Sequence, residues 1–245
     1  MEALDRAQEL VYDAWDATTA KRRLELATKA IEISPLCADA WLVLAQIAEP
    51  GSDEQMELLL RAVDAGKTAL GGSFDEMIGE FWGWFETRPY MRARQVLATT
   101  LWDRGLRDDA IAHVWDMLLL NPNDNQGVRY LLIGYLAETD RHAEIERLKE
   151  SYPGEDMAMW LWPLALAAFR RDGDSPASRL ALGSALDSNA FVPAYLLGKK
   201  KLPKQLPDHY GIGDRNEAVL FADGFGSSWS ATPGALDWLR TKIAK

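Results

Sequence analysis

Cysteine occurs once in the 245 residues, at Cys37, and histidine three times. A single thiol excludes an internal disulfide framework and a cysteine zinc cluster, and it fits a reducing cytoplasm, where we expect the protein to reside. His113, His142 and His209 lie far apart, and none stands at ligand spacing from another His, Cys or carboxylate. No stretch approaches the ~18 uncharged apolar residues of a membrane span. The longest apolar-rich patch, Met157 to Phe169, is short and flanked by charge. The opening MEALDRAQELVYDAWD is acidic and amphipathic, so no secretory leader is expected. Nucleophile-elbow, phosphate-loop and H-E-x-x-H patterns do not occur. Basic residues are outnumbered too: 27 Lys and Arg face 37 Asp and Glu, a net charge of −10. That balance argues against broad binding to nucleic acid or an anionic membrane. We therefore expect no metal, no cofactor, no nucleic acid and no membrane partner. Strand and hairpin signals are missing as well.

What remains is helical periodicity. Ala3 to Ala17 puts Leu4, Ala7, Leu10, Val11, Ala14 and Trp15 on one face. Lys21 to Ile33 follows, with Leu24, Ala27 and Ile31 inward, and Ser34-Pro35 stops it. Ala38 to Ala48 is a third helix. Ser52 or Asp53 caps a fourth that reaches about Leu70, where Gly71-Gly72 breaks it. Phe74 to Glu86, rich in aromatics, reads as a helix weakened by Gly79 and Gly83. Helices are then expected over Pro89 to Arg104, Arg107 to Leu120, Asn125 to Glu138, Asp140 to Ser151, Asp156 to Arg171 and Ser175 to Ser188. Beyond Pro193 the texture turns basic and irregular, KKKLPKQLPDHYGIGD, with short helical pieces near Asn216 to Ala222 and Pro233 to Ile243. The expected organisation is a helical stack over residues 1–198 and a capping tail over 199–245.

Helix pairs of about 34 residues mark tetratricopeptide repeats. Met91 to Asp124 matches such a unit through Leu97, Ala98, Gly105, Ala110, Val114, Met117 and Pro122. Trp41, Leu44 and Ala45 match in the preceding unit, and KAIEISP, Lys29 to Pro35, has the usual ending of a second helix. A lone pair cannot bury its apolar face, so pairs stack into a superhelix with a concave surface. The segments ETRPYMRAR, LNPNDNQGVRYLL, FRRDGDSP and VPAYLLGKKKLP, spread between Glu86 and Pro203, together resemble a widespread bacterial tetratricopeptide-like family. Its core is similar to that of the eukaryotic suppression-of-tumorigenicity proteins. The resemblance covers roughly Phe74 to Ala222. It implies an all-α superhelix that serves as a binding scaffold without established catalytic residues.

The candidate site follows from the repeat register. Arg88 and Tyr90 stand at the entry of one first helix, Arg92 and Gln95 on its inner face, and Gln126, Arg129 and Tyr130 on the next. Paired arginines on neighbouring concave faces can hold a carboxylate or phosphate by bidentate hydrogen bonds. The structural alternative is that they pair with Asp103, Asp108 or Asp109, and that Asn121 to Asn125 cap helix ends. The Lys and Asn pattern of the chaperone-tail carboxylate clamp is absent: Gln95 and Thr99, or Gln8 and Tyr12, occupy its first positions. The run FWGWF, Phe81 to Phe85, is expected as inter-repeat core; the alternatives are a hydrophobic binding patch or a surface buried between copies. Lys199 to Lys204 either contacts an acidic partner or neutralises the chain's own acidic surface. The expected function is a protein–protein interaction scaffold that binds a protein or peptide. The alternative is a small-molecule or metal-dependent enzyme on a helical scaffold.

Overall fold

The structure, a computed structural model, describes residues 2–243. Those residues hold fourteen α-helices and no strand. They divide into two compact units, Met1–Val128 and Arg129–Lys245.

The first unit is built from antiparallel helix pairs. Helix α1 (Glu2–Asp16) packs on α2 (Ala20–Ile33), α3 (Ala38–Ile47) on α4 (Asp53–Leu70), and α6 (Arg88–Asp103) on α7 (Arg107–Leu120). The pairs are stacked in order: α1 and α2 touch α3, and α3 and α4 touch α6. Helix starts follow side-chain chemistry. Thr19 accepts from the Arg22 amide ahead of α2, and Ser52 from the Gln55 amide ahead of α4. Ala7, Val11 and Ala14 are buried as their 3.6-residue spacing requires, as are Leu97, Ala98, Ala110, Val114 and Met117. In α2 the buried stripe is Leu26, Ala27 and Ala30, while Leu24 is exposed. The stripe is thus rotated from the expected one, and it joins the core formed with Ala7, Val11 and Ala14 of α1 and Ala40 and Val43 of α3. Close approach between α4 and α6 depends on Gly66. A Cβ there would lie 3.0 Å from the Cα of Tyr90 and 3.3 Å from the Cβ of Ala38.

The aromatic stretch departs from expectation. Only Ser73–Glu76 is helical (α5); turns follow, then a single 3-10 turn, Phe85–Thr87. The helix fails because Gly79 takes φ +100, and because the amides of Gly79 and Phe81 bond instead to the Leu120 carbonyl that closes α7, at 2.9 and 3.2 Å. Phe81 alone of the run is fully buried, edge-on to Phe74 and Tyr90.

In the second unit, α8 (Val128–Glu138) and α9 (His142–Ser151) precede the hairpin α10 (Ala158–Asp172) and α11 (Pro176–Ser188). Ser175 and Ser178 form a capping box ahead of α11. Trp160 and Trp162 are buried in the core. After α12 (Val192–Leu196) and an irregular loop come α13 (Arg215–Ala231) and α14 (Ala235–Ile243), both longer or better anchored than short capping pieces. They give Phe221, Trp229 and Trp238 to the same core cluster as Trp162 and Leu166. Glu217 of α13 is fully buried without a cation. It accepts from the Ala158 amide that opens α10 at 2.8 Å, from Asn189 Nδ2 at 2.8 Å and from the Gly213 amide at 2.7 Å.

Candidate functional site

The seven candidate residues fall into five arrangements. Arg92 lies on the face of α6 that meets α1 and α3. Its guanidinium grips Asp39 through both nitrogens, Nε to Oδ1 at 3.0 Å and Nη2 to Oδ2. Gln8 of α1 donates to the same carboxylate at 3.0 Å. The Asp39 side chain is 0% exposed and that of Arg92 31%. A bare carboxylate so deep would be costly, and the fork of Arg92 together with the Gln8 amide satisfies it. Trp15 covers the guanidinium, 5.5 Å from ring centroid to Cζ. The arginine therefore ties three helices together. Cys37, beside the start of α3, lies within 3.7 Å of Gln8 Oε1. Burial pushes its thiol up to about 11, so it is an inert thiol rather than a nucleophile.

Tyr90 is buried. Its hydroxyl accepts from Arg94 at 2.8 Å, and its ring meets Phe74 and Phe81. It anchors the aromatic loop rather than facing solvent. Gln95 and Gln126 do come together: Gln126 Nε2 donates to Gln95 Oε1 at 3.1 Å, and both are half-exposed. In the turn between α7 and α8, Asp124 adopts φ +46, and its Oδ1 accepts from the Val128 amide at 2.8 Å, capping α8.

Arg129 and Tyr130 form a connected set with Glu155. Arg129 Nε donates to Oε1 at 2.8 Å, and Nη2 donates to the Tyr130 hydroxyl at 2.7 Å. That hydroxyl donates to Oε2 at 2.6 Å. Burial and the hydrogen bond to Glu155 raise the Tyr130 phenol well above its ordinary value, so it stays a donor. Arg92 thus pairs with Asp39 rather than with Asp103, Asp108 or Asp109, and Arg129 pairs with Glu155. Helix spacing reports only near neighbours; Asp39 is 53 residues from Arg92.

Arg88 is different. Its Nε donates to the Trp82 carbonyl at 3.1 Å, and its Cζ lies 4.3 Å from the Phe85 ring centroid and 5.4 Å from that of Trp82. Trp84 is 48% exposed and Phe85 75%. The loop that carries them is held at both ends. Thr87 Oγ1 donates to the carbonyls of Phe81 and of Trp84, the latter at 2.9 Å, and Leu120 holds Gly79 and Phe81. The result is a rigid corner with an exposed Trp, an exposed Phe and a stacked Arg.

Two further hollows are lined by side chains. One, of about 300 Å³, lies between α4, α6 and α7 over Leu60, Leu97, Leu101 and His113. Burial and nearby Arg94 keep the His113 imidazole below its ordinary value, hence neutral near pH 7. The other, of about 340 Å³, lies between α9, α10 and α11, with an apolar floor of Leu161, Leu164 and Ala168 under a rim of His142, Lys149 and Arg171. Among the described residues, no group of three or more His, Cys, Asp or Glu side chains is placed to hold a metal ion. No helix of the described residues is long and apolar enough to cross a membrane.

Asp39, Gln8, Glu155 and Glu217 carry the polar architecture and were not singled out by sequence. Asp39 had one signal: it is the lone charged residue in ADAWLVLAQI. Comparison with known proteins finds no matching protein-family model, no matching curated protein and no matching solved structure.

Proposed function

We propose that this chain is a tetratricopeptide-like interaction scaffold that binds a protein or peptide partner without catalysis. The ordered stacking of α1/α2, α3/α4 and α6/α7 supports the repeat reading, since each pair covers the apolar face of the next. The observation that carries the functional reading is the corner at the start of α6. Exposed aromatics beside an arginine, held rigid before any partner arrives, make up the usual energetic centre of a protein interface. Rigidity matters because it removes an ordering cost on binding.

The partner contacts Trp84, Phe85 and Arg88 directly, and the half-exposed amides of Gln95 and Gln126 continue the surface along α6. Tyr90 and Arg92 act by positioning α6. In the second unit, Arg129 and Tyr130 present a separate half-buried polar face. The test compares the full chain with its Trp84→Ser/Phe85→Ser variant as affinity bait. Both side chains are exposed, so melting should not change while captured partners are lost. Retention of every wild-type partner by the variant would refute the reading.

A further inference from the structure

We propose that the aromatic corner of one copy receives the lysine-rich loop, residues 199–207, of a second copy. This rests on the reading that the corner is a partner-binding surface, and it names the partner.

Charge is distributed unevenly along the chain. Before Arg129 there are 12 Lys and Arg against 22 Asp and Glu; from Arg129 on there are 15 against 15. The whole net charge of −10 therefore belongs to the first unit. Around the corner Asp75, Glu76, Glu80 and Glu86 are exposed, and none forms an ion pair among the described residues. The cations nearby, Lys67 and Arg88, are each stacked on an aromatic ring.

The loop is the opposite in every respect. Lys199, Lys200, Lys201 and Lys204 are exposed and form no ion pair among the described residues. Elsewhere the chain pairs its cations readily, as at Arg92, Arg94, Arg104, Arg170 and Arg179. The loop's lysines thus make no close ion pair with the chain's own acids among the described residues. Its ends are fixed: the Lys200 amide donates to the Ala194 carbonyl at 2.8 Å, and Asn216 Nδ2 to the His209 carbonyl at 3.0 Å. Between them, Lys201 to Asp208 makes no backbone–backbone hydrogen bond among those of the described residues. Pro203 and Pro207 fix φ and remove two donors, which favours an extended, polyproline-like path. Nine residues on such a path span about 28 Å. Leu202 and Leu206 are exposed along it.

Extended, proline-punctuated segments dock on exposed aromatic surfaces, and flanking carboxylates select those that carry lysine. The corner supplies the rings and the carboxylates; the loop supplies the prolines, leucines and lysines. Both are open to solvent, so two copies can bring them together. The contact joins unlike surfaces, so association is head-to-tail and continues past the dimer unless a ring closes.

Sedimentation velocity of the purified full chain tests this, from about 5 to about 500 µM, the range where a contact of this size is populated. The mean mass should rise with concentration, and the affinity should fall about tenfold or more between low salt and half-molar salt as screening grows. Lys199→Glu/Lys200→Glu/Lys201→Glu/Lys204→Glu should remain monomeric, as should Glu76→Lys/Glu80→Lys/Glu86→Lys. Mixing these two charge-reversed proteins should restore association, because each then meets its opposite. All substituted residues are exposed, and unchanged melting curves verify folding. A monomer at every concentration, or association that survives both reversals, overturns the proposal. If the chain stays monomeric while Trp84→Ser/Phe85→Ser still abolishes capture of other partners, only this inference fails. If it associates and that variant associates equally well, the corner is not the site and both readings fail.

Discussion

Removing the Arg92 guanidinium is the most direct test of how the first unit is held. In Arg92→Ala the Asp39 carboxylate keeps the Gln8 donor but loses both bonds of the fork, in a place where its side chain is 0% exposed. Breaking a buried ion pair from one side costs about 3–5 kcal/mol, most of it the stranded charge. The Arg92 side chain is 31% exposed, so water and the remaining Gln8 bond recover part of that. We expect a loss of about 2–4 kcal/mol, equivalent to a melting temperature lower by roughly 5–15 °C for a chain of this size. Arg92→Lys keeps the charge but not the planar fork and should fall between. Asp39→Ala removes the acid that needs the partner. The double variant Asp39→Ala/Arg92→Ala should then be more stable than the sum of the single losses, by at least about 1 kcal/mol. The measurement is urea unfolding followed by circular dichroism and by tryptophan fluorescence. A loss below about 1 kcal/mol in Arg92→Ala, or strict additivity in the cycle, would show that Asp39 does not depend on the arginine. The experiment also bears on function, because loss of a partner in Arg92→Ala would report a loosened α6 rather than a lost contact.

Three other outcomes are expected. The Cys37 thiol titrates near 11 because it is buried, so it stays protonated in the fold while the unfolded chain ionises from about pH 9. Its contribution is complete below pH 9 and declines by about 2–3 kcal/mol as pH rises to 11; Cys37→Ala should lack that part of the alkaline slope. Gly66→Ala places a Cβ 3.0 Å from the Tyr90 backbone, which α6 can relieve only by moving. Despite better helix propensity it should lose about 1–3 kcal/mol in urea unfolding, and a neutral result would mean that α4 and α6 are not in close contact. Glu217→Gln turns one acceptor into a donor aimed at amides that already donate. It should cost about 2–4 kcal/mol by thermal melting, and wild-type stability would refute the view that this carboxylate closes the α10 start.

The helices were legible where burial follows the local period. Leu97, Ala98, Ala110, Val114 and Met117 could be named from spacing because each helix shows its packing face in its own residues. Two kinds of misreading have physical causes. The piece expected near Asn216 to Ala222 runs on to Ala231: Gly224, Gly226 and the serines discourage a helix there, but the burial of Phe221 and Trp229 outweighs that. Residues 74–86 were expected as a helix because the aromatics repeat suitably, but the Leu120 carbonyl offered two amides a better partner. The site was legible only in part. Arg88 rests on near-neighbour geometry, and the Gln95–Gln126 pair, 31 residues apart, on the repeat register. The partners of Arg92 and Arg129 come from 53 and 26 residues away, and nothing in local periodicity encodes such a meeting.

The reach of Glu217 back to the Ala158 amide, 59 residues earlier, has a consequence for biosynthesis. The hairpins of the first unit join neighbours in the chain, so loop closure is cheap and each can set as it is made. Helix α10 must instead wait, with its opening amide, Trp162 and Leu166 unsheltered, until α13 has been translated and supplies Glu217, Phe221 and Trp229. At ribosomal speeds of about 5–20 residues per second that interval lasts several seconds. During it, the later half of the chain is the one that chaperones would attend.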